Sequence, residues 1–287
     1  MRFAFIQEHS EDWPVQLQCR VLAVSRSGFY AWRRRGTSTR ERFRQELIQA
    51  IRLAHDECRG VYGSPRITRE LQERGGIQAC ENTVAKVMKQ AGIAARRWRR
   101  FVPSTTDSRH SHPIAGNVLD REFAAEQPNR KWVCDITYVW TSQGWLYVAA
   151  VMDLCSRRIV GWSMADHLRV QLVNQALEMA IHSRNPSPGL LHHSDRGVQY
   201  ACADYRKRLA EHAIKCSMSR PGNCYDNAAM ESFWSTLKRE LINEQSYATR
   251  EQAERSIFEY IEVFYNRQRR HSSLGYLSPE AFEASLN

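Results

Sequence analysis

At 287 residues the chain is long enough for one large core with smaller modules beside it. Its formal charge of +10 is confined to the front: residues 1–110 carry 21 Lys and Arg against 11 Asp and Glu, and residues 111–287 carry 20 against 20. No run approaches the ~18 apolar residues of a membrane span, so a cytoplasmic protein is expected, and eight scattered cysteines without a C-x-x-C pair argue against a disulfide framework or a zinc site.

Residues 1–38 read as a helix-turn-helix segment. Val15–Leu22 gives a first helix, Ala23-Val24 the turn, and Ser25 an N-cap before a second helix over Arg26–Arg35. Phe29, Tyr30 and Trp32 pack or stack, while Arg33, Arg34 and Arg35 are candidates for phosphate contacts. Gly36–Thr39 breaks the chain.

A second DNA-binding unit is expected over residues 41–102. Its first helix, 41–57, carries Phe43, Leu47, Ile48, Ile51 and Ala54 on one face. A glycine-rich turn follows, then Ser64 as a cap with Pro65 at the first helical position, Arg66 behind it, and Gly75-Gly76 as the stop. Asn82 is placed as the cap of a third helix, Thr83–Gln90. In Ala94–Phe101 the arginines Arg96, Arg97, Arg99 and Arg100 alternate with aromatic residues, which suits contact with a nucleic-acid backbone or groove. Pro103–Pro128 has no periodic pattern and reads as a linker over 103–128.

From Lys131 the period changes. Strands are expected at Trp132–Trp140, Trp145–Met152 and Arg158–Met164, followed by a helix over Val170–His182 and a strand over Leu190–His193. A helix at Ala203–Ala213, a strand at Ile214–Met218 and an amphipathic helix around Glu231 complete the order βββαβαβα. That order is α/β: a ribonuclease-H-like, mixed five-stranded sheet with helices on both faces, over residues 129–245. The last part, 246–287, is a helical extension expected to pack on this core, with Ile257, Phe258, Ile261 and Phe264 inward and Arg267, Arg269 and Arg270 as a basic patch for DNA.

Three carboxylates stand out in the core. Asp135 sits mid-strand in a run apolar on both faces, where an unpaired charge is costly and a cation is the economical answer. Asp195 follows a short apolar strand and precedes Gly197. Glu231 lies off the apolar stripe Met230, Phe233, Trp234, Leu237, Leu241, and shares its side with Asn227, Ser235 and Lys238. Asp195 and Glu231 have 35 residues between them. Two further aspartates have ordinary explanations: Asp153 an ion pair with Arg157 or Arg158, Asp226 a helix N-cap. His192 and His193 read as structural.

The segments CDITYV, HSDRGVQY and NAAMESFWSTLKREL resemble the three acidic boxes of DDE-type integrase-core transposases, and in particular the OrfB protein of the IS3 insertion-sequence family. The likeness extends to Cys19–Trp32, Gly60–Leu71 and Phe264–Phe282. It implies that Asp135, Asp195 and Glu231 bind Mg²⁺, with Mn²⁺ as a substitute and two ions in the site. It implies that the chain cleaves double-stranded DNA at the ends of an insertion sequence and joins them to a target. A winged form for the second helix-turn-helix is also implied, as are an OrfA or OrfA-OrfB fusion partner and a homo-oligomer on nucleoid DNA. Lys238, two helical turns after Glu231, is a candidate to position the DNA strand. The rival readings are a ribonuclease-H-like nuclease that cuts without joining and an inert DNA-binding regulator.

Overall fold

Packing divides the chain into two units, Met1–Glu57 with Gly63–Ala94, and Cys58–Tyr62 with Ala95–Asn287. The computed structural model describes residues 1–36, 38–96, 113–221 and 224–286.

In the first unit, helix α1 (Arg2–Glu8), which the sequence did not announce, adds Ile6 to a small core with Cys19 of α2 (Val15–Val21) and Phe29 of α3 (Arg26–Arg34). Ala23 turns the chain with φ 51°. The predicted cap is present: Ser25 Oγ accepts the Gly28 N–H at 3.0 Å. Helices α4 (Thr39–Glu57), α5 (Ser64–Arg74) and α6 (Glu81–Gln90) bury Leu47, Ile51, Ala54, Ile67, Leu71, Val84, Val87 and Met88. Phe43 is exposed, so the inward face of α4 is narrower than its apolar spacing predicts. Two caps are misplaced in the sequence reading. Gly63 and Cys80 hold the cap positions, and Ser64 and Asn82 lie inside their helices without capping them. Positive φ at Gly75 and Gly76 ends α5 as expected. Residues 97–102, the end of the stretch for which a winged form is expected, lie outside the described residues.

The second unit is built on a sheet of order β3-β2-β1-β4-β5. β1 (Lys131–Thr141) and β2 (Gly144–Asp153) form a hairpin, β3 (Ile159–Ala165) pairs antiparallel with β2, and β4 (Leu191–Ser194) and β5 (Lys215–Met218) run parallel to β1. The continuous apolar character of β1 reflects its central place. Helix α7 (Val170–Arg184) lies so close to β3 that a Cβ on Gly161 would stand 2.2 Å from the Ala176 carbonyl oxygen. Only glycine permits that approach. The short α8 (Val198–Ala201) is an addition to the expected order, and α9 (Ala203–Glu211) precedes β5. Trp132, Leu172, Leu177, Tyr205 and Met218 anchor this side's core. Helix α10 (Ala228–Glu240) packs on β1, and α11 (Arg250–Glu259) packs against β1 and β2.

The C-terminal part joins this unit, with two corrections. Ile257, Ile261 and Phe264 are buried but Phe258 is exposed, since it stands one residue round α11 from the inward line of Ala253 and Ile257; after it the chain passes into a π-helical turn, Tyr260–Tyr265. Arg269 is no DNA contact. It is 3% exposed and both Glu240 oxygens accept from its guanidinium at 2.7 Å, while the Tyr260 hydroxyl donates to Glu240 at 2.8 Å. Arg267 faces Glu280 at 3.7 Å, and Arg270 Nη1 donates to the Tyr276 carbonyl. The last helix, α12 (Pro279–Ala284), presents Glu283 to Arg158 and Arg184.

Asp153 makes no close ion pair with Arg157 or Arg158, although the Arg157 guanidinium feels its charge; hydrogen bonds hold it instead. It is fully buried and accepts from the Asn129 N–H at 2.6 Å, the Cys155 N–H at 2.8 Å and the Trp132 indole at 3.2 Å, fixing the turn after β2. Among the described cysteines none forms a disulfide, as expected, and Cys80 is exposed.

The Glu240–Arg269 pair carries a stability prediction. Removing one member of a buried, hydrogen-bonded ion pair strands the other charge away from water. Glu240→Ala should cost about 3–5 kcal/mol in urea unfolding. A midpoint equal to that of the native protein would show the pair to be dispensable.

Candidate active site

Strand pairing brings the two candidate aspartates together. β1 meets β4 with Lys131 opposite Leu191 and Val133 opposite His193. Carrying that register forward sets Asp135 level with Asp195, one residue past the end of β4. Asp195 sits in a tight turn where its Oδ1 accepts the Gly197 N–H at 2.8 Å. A Cβ on Gly197 would crowd that oxygen at 3.0 Å, so glycine gives the carboxylate room to curl back.

Glu231 arrives on the first turn of α10, where the helix dipole favours a carboxylate. The start of α10 is tied to β1 by Asn227, whose side-chain amide donates to the Cys134 carbonyl at 3.1 Å. One turn after Glu231, the Trp234 indole N–H donates to Asp135 Oδ2 at 3.1 Å. One turn further, Lys238 holds its ammonium 5.4 Å from the centre of the Tyr138 ring. The apolar period of α10 accounts for Trp234 by burial alone. Its position three residues after Glu231 was the available signal for a second role.

The electrostatics follow from this crowding. Burial, then the charge of Asp195 and less that of Glu231, pushes the Asp135 carboxyl up to about 8. Burial pushes Glu231 up and Lys238 down, with the Asp135 charge opposing the latter. Two carboxylates thus repel in a half-desolvated place, and a cation would relieve them. All the donors are carboxylate oxygens, which suit a hard divalent ion. Among the described residues no three His, Cys, Asp or Glu side chains stand close enough to form a finished metal cage. The backbone brings Asp135 and Asp195 level, and the Glu231 side chain is exposed on its helix rather than drawn in.

Other expectations resolve plainly. His192 and His193 are buried and structural: His193 bridges Ser217 at 2.8 Å and Ser219 at 3.0 Å, and His192 meets the Tyr205 hydroxyl at 3.1 Å. Burial holds their imidazoles down at about 3 and about 4. Asp226 caps no helix. It lies fully buried under the Arg220 and Arg121 guanidinium groups, at 2.8 and 3.0 Å, and accepts from Asn117 at 3.0 Å. Arg33, Arg34 and Arg35 are exposed at the end of α3, and Arg66 is half-buried. Arg96 is occupied by Glu244 at 3.6 Å. Arg97, Arg99 and Arg100 lie outside the described residues.

Comparison with known proteins agrees with this architecture. Residues 125–224 and 212–279 match two models of an integrase core domain, and residues 42–101 match an HTH-like domain. The chain is a DDE-type polynucleotidyl transferase, of a class that depends on metal ions and acts on DNA. Transposase InsF of insertion sequence IS3A, from Escherichia coli (strain K12), is 43% identical over 285 residues, 99% of this chain and 98% of that one. A 31 kDa protein of insertion element IS600, from Shigella sonnei, is 45% identical over 264 residues, 92% and 96% of the two chains. The catalytic core domain of HTLV-2 integrase, solved in complex with magnesium, is a remoter likeness, with 13% identity and a TM-score of 0.43 over 56% of this chain and 99% of that one. The chain belongs to the IS3 family of insertion-sequence transposases.

The Asp226 cluster predicts a pH dependence. The two arginines hold its carboxyl well below the ordinary carboxylate range. A lowered folded-state value stabilises the fold above the unfolded-chain value of about 3.9. That stabilisation fades as pH falls below it. Asp226→Asn should therefore melt lower than the native protein at pH 7, with the gap narrowing below about pH 4. A gap that stays constant with pH would mean the charge is not what matters.

Proposed function

We propose that Asp135, Asp195 and Glu231 hold two Mg²⁺ ions, or Mn²⁺ in their place, and that with them this chain cuts the ends of its insertion sequence and joins the freed ends to a target duplex. The observation that carries the reading is that Asp195, one residue past the end of β4, comes level with Asp135 on β1, and that burial and the Asp195 charge drive Asp135 toward its neutral form. When bound, such ions polarise phosphoryl oxygens and make water or a hydroxyl a better nucleophile.

The chain's own residues supply the positioning. Trp234 fixes one oxygen of Asp135, and a carboxylate so held still has lone pairs to offer a ligand. The Gly197 amide orients Asp195 from behind. Glu231 completes the set by a rotamer change on a helix whose start is pinned to β1 by Asn227. Lys238 lies where a DNA phosphate beside the reacting one would need a cation, and the ring of Tyr138 and the charge of Asp135 keep it there. The exposed arginines of α3 grip the duplex through phosphates, which agrees with the confinement of the positive charge to the front of the chain. An OrfA product or fusion and further copies of this chain are the protein partners, assembled on nucleoid DNA. Among the described residues no helix is long and apolar enough to cross a membrane.

Three outcomes test this. Asp135→Asn, Asp195→Asn and Glu231→Gln should each abolish nicking and joining of labelled element ends with Mg²⁺ while leaving DNA affinity nearly intact; a variant that still joins removes that residue from the set. Trp234→Phe keeps the ring but loses the N–H, so Mn²⁺ binding followed by calorimetry should weaken about 10–100-fold with little change in melting temperature. Replacing Arg33, Arg34 and Arg35 together by alanine should weaken duplex binding and flatten its salt dependence by about 0.9 in log–log slope for each phosphate no longer neutralised. An unchanged slope places the grip elsewhere.

A further inference from the structure

The hairpin of β1 and β2 carries a feature that phosphoryl transfer does not use. Tyr138 pairs with Tyr147 and Trp140 with Trp145 across the two strands, so four aromatic side chains share one face. Trp140 and Trp145 are 58% and 42% exposed, in edge contact at 4.8 Å, and Trp145 meets Tyr138 at the same separation. A cross-strand aromatic pair stabilises a hairpin. That role does not require two indoles turned to water, and contiguous exposed aromatic surface marks a binding site.

Its surroundings identify the ligand's chemistry. Two cations rim the patch: Lys238 over Tyr138, and Arg250, which donates to the Trp145 carbonyl at 3.1 Å. Aromatic faces between cations suit a nucleic-acid strand with bases turned out, because every base offers a π-face and each phosphate a charge. The patch lies on the other face of β1 from Asp135 and meets the candidate active site at Lys238. Tyr138 has the opposite parity to Asp135, but β1 pairs with β4 only as far as Val133. Beyond that point Lys238 reaches Tyr138 across the open strand edge while still sensing Asp135. At about 3.3 Å per residue, Tyr138 and Trp140 lie roughly 10 and 16 Å along the strand from Asp135. That is about three to five stacked nucleotides at 3.4 Å each.

We propose that the indoles of Trp140 and Trp145 form a stacking platform for a nucleobase unstacked from the DNA end whose phosphate sits at Asp135. This rests on the site proposed above. The platform holds the strand by its base, without reading sequence, and so keeps the cut end from slipping while it waits to be joined.

The test couples protein and DNA changes in the full chain. A duplex bearing the insertion sequence's end is used intact or with a single abasic position at each of the first six nucleotides from the cut, and binding is measured without metal. Trp140→Ala should weaken binding of the intact duplex about tenfold, the size that stacking of one base gives. At one abasic position native and variant chains should bind equally, since the base that the indole held is gone. Trp140→Phe, which keeps an aromatic face, should recover most of the loss and guards against misfolding. Equal loss on every substrate, or no loss on any, overturns the proposal. So does a Trp140→Ala chain that binds DNA normally but sediments differently without it, since the patch would then join copies of the chain. The catalytic reading fails separately, through an Asp135→Asn chain that still joins ends.

Discussion

Two carboxyl groups set level, one on a strand and one just past the end of its neighbour, set the terms for everything around them. The parallel pairing of β1 with β4, which ends two residues before them, sets Asp135 and Asp195 level, and burial takes from Asp135 the water that would screen it. Such an arrangement is unfavourable alone and has to be over-determined by its surroundings. The surroundings oblige. Trp132, at the start of β1, is locked through Asp153 to the turn after β2, and His193, one residue before the end of β4, is locked through Ser217 and Ser219 to the strand and loop beyond. The strain of the site is borne by hydrogen bonds in the sheet on either side of it.

Helix α10 is held by a different logic. Its start is tied to the backbone of β1 by Asn227, and its end is tied to the C-terminal segment by the Glu240 carboxylate under Arg269 and Tyr260. Between these fixed ends it presents, turn by turn, Glu231, Trp234 and Lys238. A carboxylate, an indole donor and an ammonium one turn apart are a ruler laid along β1. Precision of this kind suits a reaction in which orientation supplies much of the rate.

Much of this was legible in the amino-acid sequence, for identifiable reasons. β1 is apolar on both faces because it is the central strand, so its one aspartate stood out. Ser25 caps α3 because its hydroxyl is the right length for the amide three residues on. The features that escaped are those decided by a partner far along the chain. Arg269 sits in a run of basic residues that reads as solvated, and its burial depends on Glu240, a residue of another helix. Asp226 reads as a cap until Arg121 and Arg220 fold over it. Trp234 satisfies the apolar stripe completely, and the apolar period is silent about where its one N–H points. Ser64 and Asn82 have cap chemistry but stand inside their helices, because the path of the chain set the helix starts earlier.

The ion pair between Glu240 and Arg269 also bears on how copies of such an element decay. A stop codon just upstream of Arg269 leaves all three candidate carboxylates encoded and the sheet complete. It also leaves Glu240 buried with no guanidinium to meet it, at the end of the helix that carries Glu231. A reading frame truncated only in its last twenty or so codons is therefore weakened at the very helix that carries Glu231, and an intact set of acidic codons is not by itself a measure of whether a genomic copy is still alive.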